Sequence, residues 1–192
     1  ESGECVIARA NHRVTYPARI QLVAAMNPCR CGMAGEPGYR CARGPRCQSD
    51  YQARISGPLL DRVDLRIDVP AISANDLIRP AKAESSSAVA ERVARARAIQ
   101  AERFAALGPG GGMTNAHCAT RLIEEIAAPD AKGTALLYEA SEKLGFSARA
   151  YHRVLRVART LADLDGEAKV GRIHLAEAIS YRVPGERLAQ AA

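Results

Sequence analysis

The feature that constrains this chain most is a short loop that holds four of its six cysteines. The loop, NPCRCGMAGEPGYRCARGPRC, spans residues 27–47 and spaces its cysteines as C-x-C-x9-C-x5-C. It offers little apolar surface to bury, so side-chain packing alone cannot order it. Four clustered thiolates suit a tetrahedral zinc ion, whose binding would order the loop. The predicted zinc ligands are Cys29, Cys31, Cys41 and Cys47.

Two alternatives to zinc stay open: thiols without a ligand and a redox-active thiol pair. A reducing cytoplasm disfavours disulfides, and glycines at positions 32, 35 and 38 let the backbone wrap around one ion. The C-x-C start is less common in zinc sites than paired C-x-x-C knuckles. Because all four predicted ligands are protein thiolates, the predicted role of the zinc is structural.

Composition bounds the rest of the chain. It has 192 residues, 47% of them hydrophobic, enough for one large domain or two small ones. It shows neither an apolar run of about 18 residues nor a signal-peptide pattern, so we expect a cytoplasmic location and no membrane partner. It opens at Glu1 without Met, and we expect it to be part of a longer protein. Its net charge of +6 fits an anionic partner, although a solvated basic surface is the simpler explanation of charge alone.

The segments beside the cysteine loop predict strands and a polar strand end. Residues 20–26, IQLVAAM, have the pattern of a buried strand in a parallel sheet. Asn27 follows at the strand end where α/β sheets bind ligands, so it is a candidate contact to a phosphate or an attacking water. The alternative is a turn-forming Asn before proline. Ser56 and Pro58 predict a short helix, and a second strand is predicted at 63–69.

The C-terminal half predicts a bundle of helices. The predicted helices span 86–106, 116–127, 130–144, 147–164 and 172–181. Gly145 and Gly166 are predicted to end two of them. The stretch LGPGGGMTN predicts a linker. We therefore predict a first domain at 1–107, a linker at 108–115 and a helical domain at 116–192.

Four motifs carry a family resemblance: YPARIQLVAAMNPCRCG, the spaced cysteines, ARISGPLLDRVDL and SARAYHRVLRVARTLADL. They resemble the C-terminal part of the ComM/YifB proteins, the magnesium-chelatase-like branch of the AAA+ ATPases. The resemblance spans nearly the whole chain and is loosest between residues 72 and 115. It implies an α/β core fragment, part of an AAA+ parallel sheet with a zinc loop and a β-hairpin insertion, followed by an all-α helical lid bundle.

The resemblance also implies an activity. It implies a ring of identical subunits, a hexamer, that uses ATP and magnesium to drive branch migration of DNA in recombination and natural transformation. Asn27 matches the sensor-1 Asn that orients the attacking water. Arg62 matches the arginine finger that reaches the neighbouring subunit's nucleotide, and Arg149 matches the sensor-2 arginine. Phosphoryl transfer needs from a protein mainly fixed positive charge and positioning of this kind.

Simpler alternatives accompany these assignments. Arg62 can instead form a surface ion pair with Asp61 or Asp64. Arg149 can be an ordinary residue of a helix face that carries Arg153 and Arg156 as well, and repulsion among the three favours an anionic neighbour. Glu139 or Glu142 can be that neighbour. The chain has no G-x-x-x-x-G-K-[ST] phosphate loop. We therefore expect it neither to bind ATP tightly nor to hydrolyse it alone.

The expected partner is DNA. A hairpin is predicted in ECVIARANHRVTYPAR, with its turn at Asn11-His12, and the resemblance places such insertions in the ring pore. The predicted DNA contacts are the arginines of the hairpin and the cysteine loop: Arg9, Arg13, Arg30, Arg40, Arg43 and Arg46. For the hairpin arginines, a charged edge that faces solvent is the open alternative. With few aromatic residues, such contacts would address the DNA backbone and depend on salt. Two other functions stay open: a non-catalytic zinc-containing nucleic-acid-binding or assembly module, and a magnesium-chelatase-type subunit.

Overall fold

The computed structural model describes residues 3–34, 41, 43, 44, 46–72, 74–79, 83–108 and 114–182. The chain divides into two compact units, Glu1–Arg54 and Ile55–Ala192. Across the described ranges, no helix is both long enough and apolar enough to span a membrane.

The first unit opens with a β-hairpin, as predicted. Strand β1 (Glu4–Arg9) pairs antiparallel with strand β2 (His12–Pro17). The turn is formed by Ala10 and Asn11 rather than by Asn11 and His12. Every residue of both strands is exposed, because the pair of strands has no packed partner on either face among the described residues of its unit.

Helices make up most of the remaining described structure. The first unit contains α1 (Cys47–Gln52). The second contains α2 (Gly57–Leu60), α3 (Ala74–Ile78), α4 (Ser86–Ala106), α5 (Thr120–Ile126), α6 (Ala131–Leu144), α7 (Ala148–Asp165) and α8 (Arg172–Ser180). The predicted helices at 86–106, 130–144, 147–164 and 172–181 are thus confirmed within one residue or two.

Local sequence sets the ends of these helices. Gly145 (φ 62°) and Gly166 (φ 74°) end α6 and α7 in the left-handed conformation, as predicted. At four helix N-termini a side-chain oxygen accepts a backbone N–H that the helix itself cannot satisfy. These N-caps are Ser56, Ser85, Asp130 and Ser147.

The two strands predicted at 20–26 and 63–69 are not formed. Both segments run as chain without strand pairing. Apart from Val63, which is half-buried, their large apolar side chains are exposed, to 87% at both Val23 and Val69. A strand in a parallel sheet needs neighbouring strands to bond its backbone N–H and C=O groups. The hairpin is the only sheet in the part of the chain that the structure describes, so the predicted parallel sheet is absent there.

The helix predicted at 116–127 is wrong in its first half. A 3₁₀ turn at Asn115–His117 comes first, and α5 begins only at Thr120. The interruption has a tertiary cause. Asn115 is buried, and its side-chain amide donates to Thr160 at 3.0 Å and to Asp163 at 2.8 Å, both on α7.

Helix α7 lies at the centre of the second unit and packs against α4, α5 and α8. The core consists of Phe104, Cys118, Ile123, Ala127, Leu137, Ala140, Val154, Leu155, Ala158, Ala162, Val170, Leu175, Ala178 and Ile179. Phe104 belongs to α4, so α4 packs with the helices that follow the predicted linker. Residues 109–113 of that linker lie outside the described residues, and the domain boundaries stay a prediction.

A buried carboxylate, Asp163, connects three elements of the second unit. Its side chain is fully buried and accepts hydrogen bonds from Arg103 on α4 at 3.1 Å and from Asn115 at 2.8 Å. Arg159, one turn earlier on α7, donates its Nε at 3.1 Å. The Arg159 side chain is only 1% exposed, and it also donates to the carbonyl oxygens of residues 167 and 168. This satisfied network lets two charges lie inside the core.

We predict that Asp163→Ala lowers the free energy of unfolding by about 3–5 kcal/mol, because it leaves the buried Arg159 guanidinium without its carboxylate. Urea denaturation followed by far-UV circular dichroism measures the change. The matched control is Glu139→Ala, which removes an exposed ion pair with Lys143 and should cost at most about 0.5 kcal/mol. Equal effects of the two substitutions would contradict the structural role of Asp163.

Candidate metal centre and predicted nucleotide-sensing residues

Two turns of the same kind position three of the four loop cysteines. The Cys29 carbonyl accepts the Gly32 amide at 3.0 Å, and the Cys41 carbonyl accepts the Gly44 amide at 3.0 Å. Gly32 and Gly44 have φ angles of +83° and +85°, values that favour glycine over any other residue. Each turn therefore folds the chain back immediately after a cysteine and brings the cysteines together.

The fourth cysteine begins a helix. Cys47 is the first residue of α1 and is buried. The amide of Gln52, at the other end of α1, donates to the Pro28 carbonyl at 3.2 Å. This bond ties α1 to the residue that precedes Cys29. As a result, the four sulfur atoms all lie within 4.8 Å of one another.

Hydrogen bonds inside the cluster separate the pKa values of the thiols. A hydrogen bond from Cys31, aided by backbone amides such as that of Ala34, lowers the pKa of Cys29 to about 6. The same bond raises the pKa of Cys31 to about 11, and the Arg43 backbone amide lowers the pKa of Cys41. Two thiols are thus biased toward the thiolate, which is the form that binds metal ions.

The geometry fits a tetrahedral metal ion. Zinc–sulfur bonds of about 2.3 Å place the sulfurs of a four-thiolate site about 3.8 Å apart. Here the Cys29–Cys31 and Cys31–Cys41 sulfur distances are 2.9 and 3.3 Å, and the largest in the group is within 4.8 Å. These separations lie within about 1 Å of that spacing. The predicted grouping of the four cysteines is therefore confirmed, and the set can hold a metal ion.

Exposed arginines surround this cluster and lie on the hairpin. Arg30, Arg43 and Arg46 are exposed beside the cysteines, and Arg9 and Arg13 are exposed near the hairpin turn. Arg40 lies outside the described residues. The exposed guanidinium groups are available to an anionic partner, and their contact with DNA stays a prediction.

Asn27 lies in the first unit, immediately before the cysteine loop. It is exposed and follows the unpaired segment 20–26 rather than a strand. The strand end that made it a candidate is therefore not formed in this structure. Its predicted sensor-1 role stays a prediction, as do those of Arg62 and Arg149 in the second unit.

Arg62 follows the short helix α2 and is exposed. Its guanidinium donates to the Pro58 carbonyl at 2.7 Å. Among the described residues, no carboxylate lies within ion-pair distance of it. The two acids of the alternative explanation are engaged elsewhere: Asp61 with Arg182 and Asp64 with Arg153. The geometry thus disfavours a surface ion pair as the role of Arg62.

Arg149 occupies the first turn of α7, two residues after the N-cap Ser147, and it is exposed. The two other arginines of this helix face have identified partners. Arg153 donates to Asp64 at 2.5 Å, and Arg156 donates to the Cys118 carbonyl at 3.0 Å. Asp64 is thus an anionic neighbour of this face that the sequence did not indicate, whereas Glu139, one of the two acids considered there, pairs with Lys143.

Sequence reasoning missed the contacts that hold the Arg62 segment. Arg182, 3% exposed, donates to the carbonyl oxygens of Val63 at 2.6 Å and Asp61 at 3.3 Å. These bonds join residues about 120 positions apart in the chain. The only sequence signal was the pair of acids that flank Arg62 in DRVD, which points to partners but not to their identity.

We predict that the purified chain binds about one zinc ion, held by the four loop cysteines. Cys29→Ser and Cys41→Ser should each lower the zinc content to well under half of the wild-type value, since a structural site needs all its ligands. Inductively coupled plasma mass spectrometry gives the ratio. Cys5→Ser, at an exposed cysteine outside the cluster, is the control and should keep full zinc content. Wild-type protein without bound metal would contradict the site.

Comparison with known proteins identifies the family. A profile described as magnesium chelatase, subunit ChlI, matches residues 1–77, and one described as magnesium chelatase, subunit ChlI C-terminal, matches residues 83–182. The chain is 43% identical over 183 residues to Competence protein ComM of Haemophilus influenzae, an alignment that covers 95% of this chain and 34% of ComM. It is 38% identical over 183 residues to the YifB protein of Escherichia coli, with 95% and 34% coverage.

A Mycobacterium tuberculosis protein is 39% identical over 187 residues, 97% of this chain and 36% of that protein. The chain therefore spans about a third of the length of these relatives. The two profiles together match most of the chain, and the C-terminal profile alone matches more than half of it. The chain belongs to the magnesium-chelatase-like ComM/YifB family of AAA+ ATPases.

Proposed function

We propose that this chain is the sensor, arginine-finger and lid portion of an ATP-driven motor that acts on DNA, with a structural zinc loop. The proposal rests on the contacts and exposure of Arg62. Its backbone is fixed on both sides by Arg182, while its exposed guanidinium has no carboxylate partner in the described residues. An arginine that is held in place, exposed and not paired with a carboxylate is suited to contact a phosphate bound by another subunit.

The chemistry follows from the charge of phosphoryl transfer. ATP with magnesium supplies the phosphoryl group and the metal charge when bound. The developing negative charge spreads over phosphate oxygens, so catalysis rests on positive charge and positioning. We assign Arg62 to the neighbouring subunit's nucleotide, Arg149 to the nucleotide of its own subunit, and Asn27 to orientation of the attacking water.

The nucleotide cradle is assigned to another segment of the same polypeptide. The 192 residues contain no G-x-x-x-x-G-K-[ST] motif, and that motif supplies the backbone amides and lysine that hold the phosphates. The relatives are about three times as long as this chain, which leaves room for such a segment. Tests of activity therefore use the full-length protein that contains this chain.

We predict that Arg62→Ala subunits, mixed into wild-type rings of the full-length protein, lower ATP hydrolysis in proportion to their fraction, and that mixing them instead with Asn27→Ala subunits restores hydrolysis that neither variant has alone. An arginine supplied in trans is worth about 10³–10⁵ in rate, so each Arg62→Ala subunit disables its neighbour's site. An Arg62→Ala subunit keeps its own Asn27, and an Asn27→Ala neighbour still offers it Arg62, so such a pair forms a complete site. Steady-state ATP hydrolysis is measured with and without DNA. Arg121→Ala, at an exposed arginine on α5, is the matched control and should leave hydrolysis unchanged.

Mixed rings of Arg62→Ala and Asn27→Ala subunits that hydrolyse ATP no faster than either variant alone would show that Arg62 acts within its own subunit and would contradict the assignment. A rate of ATP hydrolysis that changes neither with DNA nor with the Arg62→Ala variant would favour the second candidate, a zinc-containing nucleic-acid module that works without nucleotide. The exposed arginines around the cysteine cluster are the observation that supports this candidate. Stimulation by a tetrapyrrole substrate rather than DNA would instead favour a magnesium-chelatase-type role.

We further predict that the cysteine-loop arginines contribute to DNA affinity. A variant with Arg30, Arg43 and Arg46 changed to alanine should bind duplex DNA more weakly, and its salt slope should fall by about 2–3 because fewer phosphates are neutralised. Fluorescence anisotropy at several salt concentrations gives both values. A triple alanine variant of exposed arginines in the second unit serves as the control: Arg95, Arg121 and Arg172. Equal salt slopes for the two variants would show that the loop arginines do not contact DNA phosphates.

A further inference from the structure

A set of polar side chains fastens the segment that carries Arg62 to helix α7. We call the set the finger–lid junction, and its members are Asp61, Asp64, Ser147, Arg153 and Arg182. Two of its bonds run directly to α7. The Ser147 hydroxyl donates to Asp61 at 3.1 Å, and Arg153 donates to Asp64 at 2.5 Å. The acids on both sides of Arg62 are thus bonded to the first two turns of one helix.

Ser147 has two roles at the same atom. Its Oγ accepts the backbone amide of Ala150 as the N-cap of α7, at 3.1 Å. The same hydroxyl gives its proton to Asp61. The start of α7 therefore cannot shift without moving either the cap or Asp61. Arg149 stands in the first turn of that helix, two residues after Ser147.

Arg182 fixes the other side of the segment. It donates to the carbonyl oxygens of Asp61 and Val63, the residues directly before and after Arg62. The backbone amide of Arg66 donates in turn to the Tyr181 carbonyl at 2.8 Å. The segment is thereby held against the end of α8 as well as the start of α7, and Arg62 has little freedom to move independently of the helices.

The charges of the junction make these contacts sensitive to their acids. Burial lowers the pKa of Arg182, the nearby positive charges of Arg66 and Arg153 lower it further, and Asp61 and Asp64 oppose the effect. Three arginines thus face two carboxylates. Removing either carboxylate increases the repulsion among the arginines, so it weakens the contacts that hold the segment.

We propose that the finger–lid junction couples Arg149 to Arg62, so that the nucleotide state of one subunit sets the position of the arginine it offers to the next. The inference rests on the proposed function. When Arg149 engages its own subunit's phosphates, the start of α7 carries Asp61 and Asp64 with it, and these residues carry Arg62. The junction residues are positioning residues, since none of them contacts the nucleotide in this scheme. The coupling makes hydrolysis cooperative around the ring.

The test is a double-mutant cycle on Asp64 and Arg153 in the full-length protein, with Asp64→Asn, Arg153→Gln and the double variant. Each single variant should lower the Hill coefficient for ATP toward about 1 and slow maximal hydrolysis by about 3- to 30-fold. The double variant should be no worse than either single one, because both remove the same link. Nucleotide binding to isolated subunits should stay unchanged, which a general loss of structure would not allow.

A second arm of the test separates coupling from stability. Ser147→Thr keeps both the cap and the hydroxyl that reaches Asp61, and it should keep wild-type cooperativity. Ser147→Gly keeps most of the capping stability but loses the hydroxyl, and it should lose cooperativity. The matched control is the cycle Glu139→Gln with Lys143→Gln, an exposed ion pair on α6, which should change nothing.

Wild-type Hill coefficients in Asp64→Asn, Arg153→Gln and Ser147→Gly would overturn the coupling. If mixed Arg62→Ala and Asn27→Ala rings still regain hydrolysis in the same assay, the arginine finger stands and only the junction inference fails. If the mixed rings regain none, the proposed function fails, and the inference fails with it.

Discussion

The buried carboxylate of Asp163 is the interaction on which the second unit depends. It joins α4, the turn at Asn115–His117 and α7 through hydrogen bonds that are all satisfied inside the core. A charge buried in this way is tolerated only with its partners in place, so the network fixes α7 relative to its neighbours. Helix α7 in turn presents Ser147, Arg149 and Arg153 at its other end. The candidate site therefore rests on an apolar and ionic core several turns away from it.

The first unit is ordered by a different principle. Its described residues contribute none of the apolar core cluster, and its compact region is the set of four cysteines with the two glycine turns and α1. Where side-chain burial cannot offset the loss of conformational entropy, a metal ion can. The lowered pKa values of Cys29 and Cys41 reduce the proton release that accompanies metal binding at these two positions, whereas the raised pKa of Cys31 increases it.

Local signals allowed most helices to be predicted. Ser56 and Pro58 marked the start of α2, and Gly145 and Gly166 marked the ends of α6 and α7, because capping is decided by a few adjacent residues. The clustering of four cysteines was equally visible, since spacing and composition both pointed to one ion. Two predictions failed for non-local reasons. The strands at 20–26 and 63–69 lack partner strands in the described residues, and the helix at 116–127 is interrupted because Asn115 bonds to α7.

The contacts around Arg62 were beyond prediction from the sequence for the same reason. Asp61 and Arg182 are separated by most of the chain, and no local sequence feature of either residue indicates the other as its partner. Yet these bonds decide how Arg62 is presented: its neighbouring acids are bonded to α7 and to Arg182, and its own guanidinium stays exposed. The sequence motif therefore identifies Arg62 as a candidate, whereas only the tertiary structure shows the contacts that hold the residues beside it.

The role of Arg62 is tested most directly by the structure of the full-length ring with a bound, non-hydrolysable ATP analogue, determined by cryo-electron microscopy. We expect the Arg62 guanidinium to lie within hydrogen-bond distance of the γ-phosphate held by the neighbouring subunit, with the Asp61–Ser147 and Asp64–Arg153 bonds intact. A ring in which Arg62 pairs with Asp61 or Asp64, or points away from every subunit interface, would contradict this role.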